Sequence, residues 1–384
     1  MNDATLEILR QDLSEVHRTR LTDWLFKSTL PHWINITAAA ETEGFVEALN
    51  FNGNPVYDLN RRGRVAPRQV FALSEAYRAG LSTDQDLRQL VLEGFDYIAR
   101  VQRQGDGGWS HEINRSGIPI NGPLHLYDHA FVALAASSVY RSLKYQPAQD
   151  LADEAFAVID DVFRDDEFGG WLDHDGQHPT KLSNPHMHLL EASLCHYEAA
   201  PSTRSKARIE LICQLFKDYM FEDQNGAVLE YFNRDWQAED SPKSGLVEPG
   251  HCYEWAFLLG EAQRLTGLDL SHWRRRLVVF ADTKGLNRHG LAYDWINISD
   301  GSVAETYRLW PQLEQLRAKM FHTEEVGAEQ LGDLVDTIWD NFLCDQRPGV
   351  WIDQIDNQFN STVHHVPASV LYHLVSALMP LRRH

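Results

Sequence analysis

The segment EPGHCYEW at 248–255 carries the most specific chemical pattern in the sequence. Pro-Gly fixes a turn, and His251 and Glu254 follow at a spacing of three residues, which places them on one face of a helix. A carboxylate beside an imidazole can fix the tautomer of the ring and raise its pKa, which suits the ring to proton transfer near neutral pH. The segment therefore predicts an acid/base histidine at the start of a helix; a structural ion pair is the alternative.

Two other segments contain paired histidines. The sequence NPHMH at 184–188 suggests metal binding, but side chains two apart on a helix point about 200° from one another, so His186 and His188 cannot bind one ion together. His188 instead shares a face with Glu191, and we predict no metal site. The segment HHVPASVLYH at 364–373 offers two further candidates, His365 before a helix and His373 within it.

Polar residues also stand at the starts of other predicted helices. Arg68 precedes an apolar helical segment, where a cation opposes the helix dipole, so substrate oxygens or a carboxylate would have to favour it; a surface arginine is the alternative. Asp128, next to Tyr127, can serve as a helix cap. Trp310 and Gln312 in RLWPQLE at 308–314 offer an aromatic platform and an amide.

A pattern that repeats six times indicates how these segments are positioned. Each copy has glycine, two or three residues that are often apolar, and usually an acidic residue; the copies lie at 53–58, 107–111, 169–173, 226–230, 290–294 and 349–353. Their glycines are 54 to 64 residues apart, which fits two helices of about fifteen residues plus connections. Six helical hairpins in series predict a closed (α/α)6 barrel. We expect the copies to form turns or short β-hairpins at one end, with little part in the chemistry.

Helical periodicity supports about twelve helices, all within a single domain that spans 1–384. The predicted helices are 7–30, 70–79, 84–102, 128–143, 151–163, 185–199, 204–221, 250–265, 271–282, 302–322, 326–341 and 367–381. Every second helix, beginning with 70–79, is expected to line the interior. The candidate residues then fall at the starts of inner helices, so one pocket could collect them all.

Composition narrows the class of protein. The formal net charge of −20 argues against nucleic acid and anionic membranes as partners, and it disfavours a highly phosphorylated substrate. The four cysteines have no Cys-x-x-Cys spacing, which predicts reduced thiols rather than a zinc site or disulfide framework. The amino terminus lacks a signal-peptide pattern and no long apolar run is present, so we expect a soluble cytoplasmic protein.

The ordered set of motifs resembles the N-acylglucosamine 2-epimerase family, which includes cellobiose 2-epimerases and mannose isomerases. The matching segments are PGHCYEW at 249–255, NPHMH at 184–188, RLWPQ at 308–312 and PASVLYH at 367–373. Members of this family are (α/α)6 barrels, in agreement with the repeat. The resemblance implies interconversion at C1 and C2 of a reducing monosaccharide without a metal or organic cofactor.

The resemblance also implies roles for individual residues. His251 and His373 would be the general acid and base, and His365 is the alternative to His373 because His-Val-Pro resembles the epimerases' form of that segment. Glu254 would orient His251. Trp310 would stack on the sugar ring. The predicted substrate-binding residues are Arg68, Tyr127, Asn184, His188, Glu254, Trp310 and Gln312.

The function expected from this resemblance is aldose–ketose isomerisation through a cis-enediolate. The favoured reaction is D-mannose to D-fructose, and D-lyxose to D-xylulose is the second candidate. Ala368 stands where the epimerase form has arginine, and the sequence has no Walker-type nucleotide motif, so we favour isomerase over 2-epimerase. A glycoside hydrolase that uses Asp128, Glu191 or Glu254 is a further alternative. A non-catalytic sugar- or protein-binding barrel is the last alternative. The sequence is compatible with a monomer and with a homodimer.

Overall fold

Twelve helices follow one another along the part of the chain that the computed structural model describes, residues 13–38, 44–105, 107–238, 241, 243–322, 328–343 and 347–382. The first, α1, is continuous through Glu15–Asp23, Trp24–Thr29 and Leu30–Ala38. The others are α2 (Val65–Arg78), α3 (Leu87–Arg100), α4 (Leu126–Leu143), α5 (Gln146–Val158), α6 (Ser183–Ala199), α7 (Thr203–Leu215), α8 (Pro249–Thr266), α9 (Ser271–Lys284), α10 (Leu309–His322), α11 (Ala328–Ile338) and α12 (Leu371–Leu378). Wider π-helical turns extend α5, α7 and α11 by five residues each.

The even-numbered helices form a closed inner ring. Each of α2, α4, α6, α8, α10 and α12 contacts the next, and α12 contacts α2. The odd-numbered helices α3 to α11 pack outside, each on the inner helix before it, while the middle of α1 contacts α12. The prediction of an (α/α)6 barrel is confirmed.

The pattern of burial explains which helix lies inside. The inner helix α8 is buried along almost its whole length, including its polar residues His251 and Glu254. The outer helix α9 buries only Leu277, Val278, Phe280 and Ala281. A helix buried all round must sit in the interior, whereas a single apolar stripe suits a helix with one face in water.

Short antiparallel strands lie at the amino-terminal ends of the inner helices. Most of them join successive units rather than forming the local hairpins that we expected: Lys181–Leu182, just before α6, pairs with Tyr231–Phe232. His365–Pro367 pairs with Ala48–Asn50, which ties the last unit to the first. Among the described residues there are two local hairpins, Glu112–Ile113 with Pro119–Ile120 and Phe221–Glu222 with Ala227–Val228.

Some predicted helix bounds were wrong. The predicted helix 302–322 begins only at Leu309, because Thr306–Arg308 forms a strand with Gln354–Asp356. Pro311 therefore lies in the first turn of α10, where proline does not kink a helix. The predicted helix 367–381 begins with the strand residue Pro367 and a short 3-10 turn before α12. The predicted starts of helices 7–30 and 326–341 lie outside the described residues.

Two other expectations concern cysteines and membranes. Cys195, Cys213 and Cys252 are buried free thiols, as predicted, and Cys344 lies outside the described residues. No helix in the described part of the chain has the length and apolar character needed to cross a membrane.

A recurring side-chain clamp fixes three of the glycine copies to an inner helix. Each copy makes its turn with a glycine at positive φ, between 71° and 104°. In the second and third copies, Nε2 of His129 and of His186 accepts the backbone N–H of Trp109 and of Trp171, at 3.2 and 3.1 Å. In the fifth, Gln312 accepts from the N–H of Ala292 at 2.8 Å and donates to its carbonyl at 3.0 Å.

His186 and Gln312 have a structural role in this clamp. His186 also donates from Nδ1 to the Leu182 carbonyl at 2.7 Å, and burial lowers its pKa to about 4, so its ring is neutral and both nitrogens are used. The amide of Gln312 is fully buried and donates a second hydrogen bond, to the carbonyl of Arg308. We expected Gln312 to bind sugar, but its amide is directed to the backbone.

We predict that Gln312→Met destabilises the fold by about 2–4 kcal/mol, because it leaves the buried N–H and C=O of Ala292 without partners. Urea denaturation measures the loss. Gln85→Met, at an exposed position, should change the free energy of unfolding by less than about 0.5 kcal/mol. Full stability of Gln312→Met together with loss of sugar affinity would contradict the clamp and restore the sugar-binding role.

Candidate active site

The amino-terminal halves of the inner helices bring His251 and His373 to the same tryptophan. The ring centroid of Trp310 lies 5.0 Å from that of His251 and 5.5 Å from that of His373. Trp310 packs so closely on the start of α8 that a Cβ at Gly250 would lie 2.6 Å from its ring. Glycine at 250 therefore lets one aromatic face contact both predicted catalytic histidines.

His251 is oriented by Glu230 and not by Glu254. Its Nδ1 lies 2.9 Å from Oε1 of Glu230, whose other oxygen accepts from the Ser183 hydroxyl at 2.9 Å. This contact places the proton on Nδ1 and leaves Nε2 as the nitrogen that can face a substrate. Glu230 is the acidic residue of the fourth glycine copy, so one copy contacts a predicted catalytic histidine, although we expected the copies to take little part in the chemistry.

The two histidines have opposite pKa shifts. Burial lowers the pKa of His251, but the negative charges of Glu230 and Glu248 and the hydrogen bond to Glu230 outweigh burial and raise it to about 10. Burial also lowers the pKa of His373, and there the hydrogen bond from Nδ1 to Glu314, 2.8 Å long, does not compensate. At neutral pH His251 is thus a cation and His373 a neutral base, an arrangement that typically separates the acid from the base in an active site.

A third histidine anchors the opposite side of the cluster. Nδ1 of His188 lies 3.2 Å from Oε2 of Glu191, which also accepts a short hydrogen bond from the Tyr372 hydroxyl. Burial lowers the pKa of His188 to about 4. Burial by itself would raise the pKa of Glu191, but His188, Arg317 and Tyr372 bring it down to about 2, so the carboxylate stays ionised.

Glu254 lies at the centre as a neutral acid. It is fully buried, and neither of its carboxyl oxygens has a hydrogen-bond partner within the described residues. Burial raises its pKa well above the usual range, and the negative charges of Glu314 and Glu191 raise it further. A buried polar group without a partner is uncommon, so a substrate hydroxyl or a water is the expected partner of this carboxyl.

In the part of the chain that the structure describes, two groups of side chains have the close spacing of metal ligands, and both include Glu254. They are His188 with Glu191 and Glu254, and Glu254 with Glu314 and His373. Arg317 lies 3.7 Å from Glu191 and 3.2 Å from Glu314, so a guanidinium already supplies positive charge to both groups. Our expectation of a metal-free site stays a prediction.

Arg68 contributes a buried cation. Its guanidinium donates to the Tyr127 hydroxyl at 2.7 Å and to the Ser369 carbonyl at 3.4 Å, and it stacks 4.2 Å from the centroid of Phe131. Arg68 is only 6% exposed, yet in the described part of the chain no carboxylate forms an ion pair with this buried cation. Such a cation suits an oxygen that becomes negative during a reaction.

The remaining candidates are spread over the mouth and the rim. Asn184 is half-buried at the start of α6, and its side-chain oxygen has no partner among the described residues. His365 is exposed on a strand, opposite Asn50, and stands apart from the cluster. Of the carboxylates proposed for a hydrolase, Asp128 is bound by His111 at 2.6 Å and Glu191 by His188.

Sequence reasoning missed four members of the cluster: Glu230, Glu314, Arg317 and Tyr372. Glu230 ends a glycine copy, and Glu314 is four residues after Trp310 on the same helical face, so both had a visible signal. Nothing in the sequence distinguished Arg317 from a surface arginine.

Comparison with known proteins now identifies the family. The sequence profile of N-acylglucosamine 2-epimerase (GlcNAc 2-epimerase) matches residues 44–377. The chain belongs to the N-acylglucosamine 2-epimerase family. Membership places it among sugar isomerases and epimerases, and it is therefore an enzyme.

Several relatives and solved structures of this family are similar to the chain. A mannose-6-phosphate isomerase of Rhizobium meliloti (strain 1021) is 32% identical over 377 residues, which cover 94% of this chain and 95% of the relative. A D-mannose isomerase of Thermobifida fusca is 25% identical over 65% of this chain and 66% of the relative. The cellobiose 2-epimerase of Bacillus thermoamylovorans B4167 superposes with a TM-score of 0.85 at 20% identity, covering 96% of this chain and 99% of the other, which supports the fold.

We predict that Glu230→Gln lowers the pKa of His251 from about 10 toward the ordinary histidine value, because the main charge that raises it is removed. The cation of His251 is lost as pH rises through its pKa, so the alkaline limb of kcat/KM should move from near pH 10 to lower pH. NMR titration of the histidine rings measures the pKa directly. Glu222→Gln, at a half-buried strand position of the same unit, is the matched control, and an equal shift in both variants would refute the role of Glu230.

Proposed function

We propose that the enzyme is an aldose–ketose isomerase that interconverts D-mannose and D-fructose through a cis-enediolate. The observation that supports this function best is the pair of histidines on Trp310, one cationic and one neutral at the same pH. An isomerisation needs an acid that protonates a sugar oxygen and a base that moves a carbon-bound proton. The site offers one of each.

In the proposed reaction, protonated His251 first assists ring opening: its Nε2 proton goes to the ring oxygen as the C1–O5 bond breaks, and the proton of the O1 hydroxyl passes to Nε2 as the C1 carbonyl forms. His373 then takes the proton from C2 of the open-chain aldose. The electrons of that C–H bond form the C1–C2 double bond, and those of the carbonyl move to O1. His251 protonates O1, His373 then returns its proton to C1 on the same face, and the O2 proton passes to Nε2 of His251 as the C2 carbonyl forms, so that both histidines end in their starting protonation states. Each positioned acid or base typically contributes about 10²–10⁴ in rate.

The negative charge of the enediolate needs stabilisation inside the barrel. Arg68 is the buried cation without a carboxylate partner in the described part of the chain, and the protonated Glu254 can donate a hydrogen bond to a sugar oxygen. Donors that are already oriented in a water-poor site often contribute more than proton transfer itself. We assign O1 and O2 of the substrate to Arg68, Glu254 and His188, and the sugar ring to Trp310.

A 2-epimerase is the second candidate, because relatives include cellobiose 2-epimerases from Bacteroides fragilis and Dictyoglomus turgidum at 21% and 23% identity. An epimerase returns the proton to C2 from the opposite face and needs nearly the same residues. Ala368, where the epimerase form has arginine, and the more similar relatives named as isomerases favour the isomerase.

Incubation with D-mannose in D2O, followed by NMR, separates these reactions. We expect fructose, with deuterium at C1 to the extent that the proton on His373 exchanges with solvent. Glucose with deuterium at C2 would instead indicate an epimerase. If D-mannose, D-lyxose and other aldoses give neither product nor exchange, both candidates fail.

We predict that His373→Asn lowers kcat by about 10²–10⁴, because it removes the base that moves the C2 proton. His365→Asn is the control, since this exposed side chain lies outside the cluster, and we expect a change of no more than a few-fold. Steady-state kinetics on both variants decide between the two histidines. An inactive His365→Asn beside an active His373→Asn would reverse the assignment.

A further inference from the structure

Two cations share one buried carboxylate at the mouth of the barrel. Nδ1 of His111 lies 2.6 Å from Oδ2 of Asp128, and the guanidinium of Arg64 lies 3.8 Å from its Oδ1. The side chain of Asp128 is 1% exposed, whereas those of His111 and Arg64 are 44% and 20% exposed. The cations thus reach the solvent side and the carboxylate lies behind them. With His111 protonated, the trio has a net charge of +1 in a chain whose formal charge is −20.

The trio is continuous with the active site through Tyr127. The guanidinium of Arg64 lies 5.3 Å from the ring centroid of Tyr127, whose hydroxyl accepts from Arg68 at 2.7 Å. The same ring meets His188 edge-on at 5.2 Å between centroids. A molecule that contacts Arg68 and His188 is therefore separated from Arg64 by one aromatic ring.

The depth of the trio in the barrel decides which end of a sugar it meets. Arg64 caps α2, and Asp128 lies in the first turn of α4. Arg68, His188, His251 and His373 are between 2% and 6% exposed, whereas the side chains of Arg64 and His111 are 20% and 44% exposed. A sugar with C1 and C2 at the buried histidines therefore directs the far end of its carbon chain toward the mouth, where Arg64 and His111 lie.

We infer that Arg64 and His111 form a subsite for a phosphate group on the carbon farthest from the reacting pair, so that an aldohexose 6-phosphate is preferred over the free sugar. The inference rests on the proposed isomerase function and names its substrate more closely. Arginine presents paired N–H donors that match phosphate oxygens, and a protonated imidazole adds another charged donor. Asp128 holds both cations and is itself shielded from the anion.

The neighbouring charged groups leave this positive charge in place. His125, stacked 4.1 Å from His111, has its pKa lowered to about 4 by burial and by His111, so it is neutral. The pKa of Asp173 is raised, mainly by burial and also by the negative charge of Asp128. The hydrogen bond that His111 donates to Asp128 raises the pKa of His111, which favours its charged form.

The experiment compares kcat/KM for D-mannose 6-phosphate and D-mannose in the wild type, Arg64→Gln, His111→Gln and the control Arg164→Gln. We expect kcat/KM of the wild type to be about tenfold or more higher for the phosphate ester than for D-mannose. Each subsite variant should lower this ratio of kcat/KM values by about 10- to 100-fold, which corresponds to the loss of one charged hydrogen bond. Arg164 is exposed and pairs with Asp166, so its loss should leave the ratio unchanged.

Calorimetric binding to the His373→Asn enzyme tests the subsite without turnover. Tighter binding of D-mannose 6-phosphate than of D-mannose, reduced by Arg64→Gln, supports the subsite even if no isomerisation occurs and the proposed function falls. Isomerisation of D-mannose with no preference for the ester would leave the function standing and overturn the subsite. A preference that Arg64→Gln and Arg164→Gln reduce equally would also overturn it.

Discussion

The ion pairs of Arg317 with Glu191 and Glu314 determine the charge state of the whole site. Three carboxyl groups meet inside the barrel, and their mutual repulsion in a water-poor interior would be large without a cation. Arg317 lies close enough to two of them to keep both ionised, and the third, Glu254, is left as a neutral acid. The ionised pair then holds the neighbouring residues: Glu191 binds His188 and Tyr372, and Glu314 binds His373.

The direction of the inner helices strengthens this arrangement. Their amino termini face the mouth, where the helix dipole has its positive end and favours negative charge. His188, in the second turn of α6, and His373, in the first turn of α12, have pKa values lowered by burial and stay neutral. His251 becomes a cation because Glu230, outside its own helix, supplies the compensating charge. Burial in the barrel thus keeps His188 and His373 neutral. Glu230, a residue of the fourth glycine copy, makes His251 the cationic exception.

The residues that could be predicted from the sequence are those whose partners are near in the chain. The repeat gave the barrel, and helical spacing placed His188 beside Glu191. Glu230 and Glu314 orient histidines 21 and 59 residues away, through contacts that exist only once the ring has closed. Spacing predicted Glu254 as the partner of His251, because it reports only neighbours on one helix. Gln312 looked like a sugar ligand for a similar reason, since its backbone partner Ala292 lies in the preceding glycine copy.

The glycine copies supply more than turns. Five of the six copies end in a carboxylate, and the second ends in His111. The fourth copy uses its carboxylate to charge His251, and the fifth uses Asp294 to accept the Thr306 hydroxyl and the Arg308 N–H. A repeat with an acid at every position would surround the mouth with negative charge and repel an anionic substrate. Imidazole in the second copy breaks that pattern next to Arg64, so one side of an acidic mouth becomes positive, and this asymmetry can orient a sugar whose ends differ in charge.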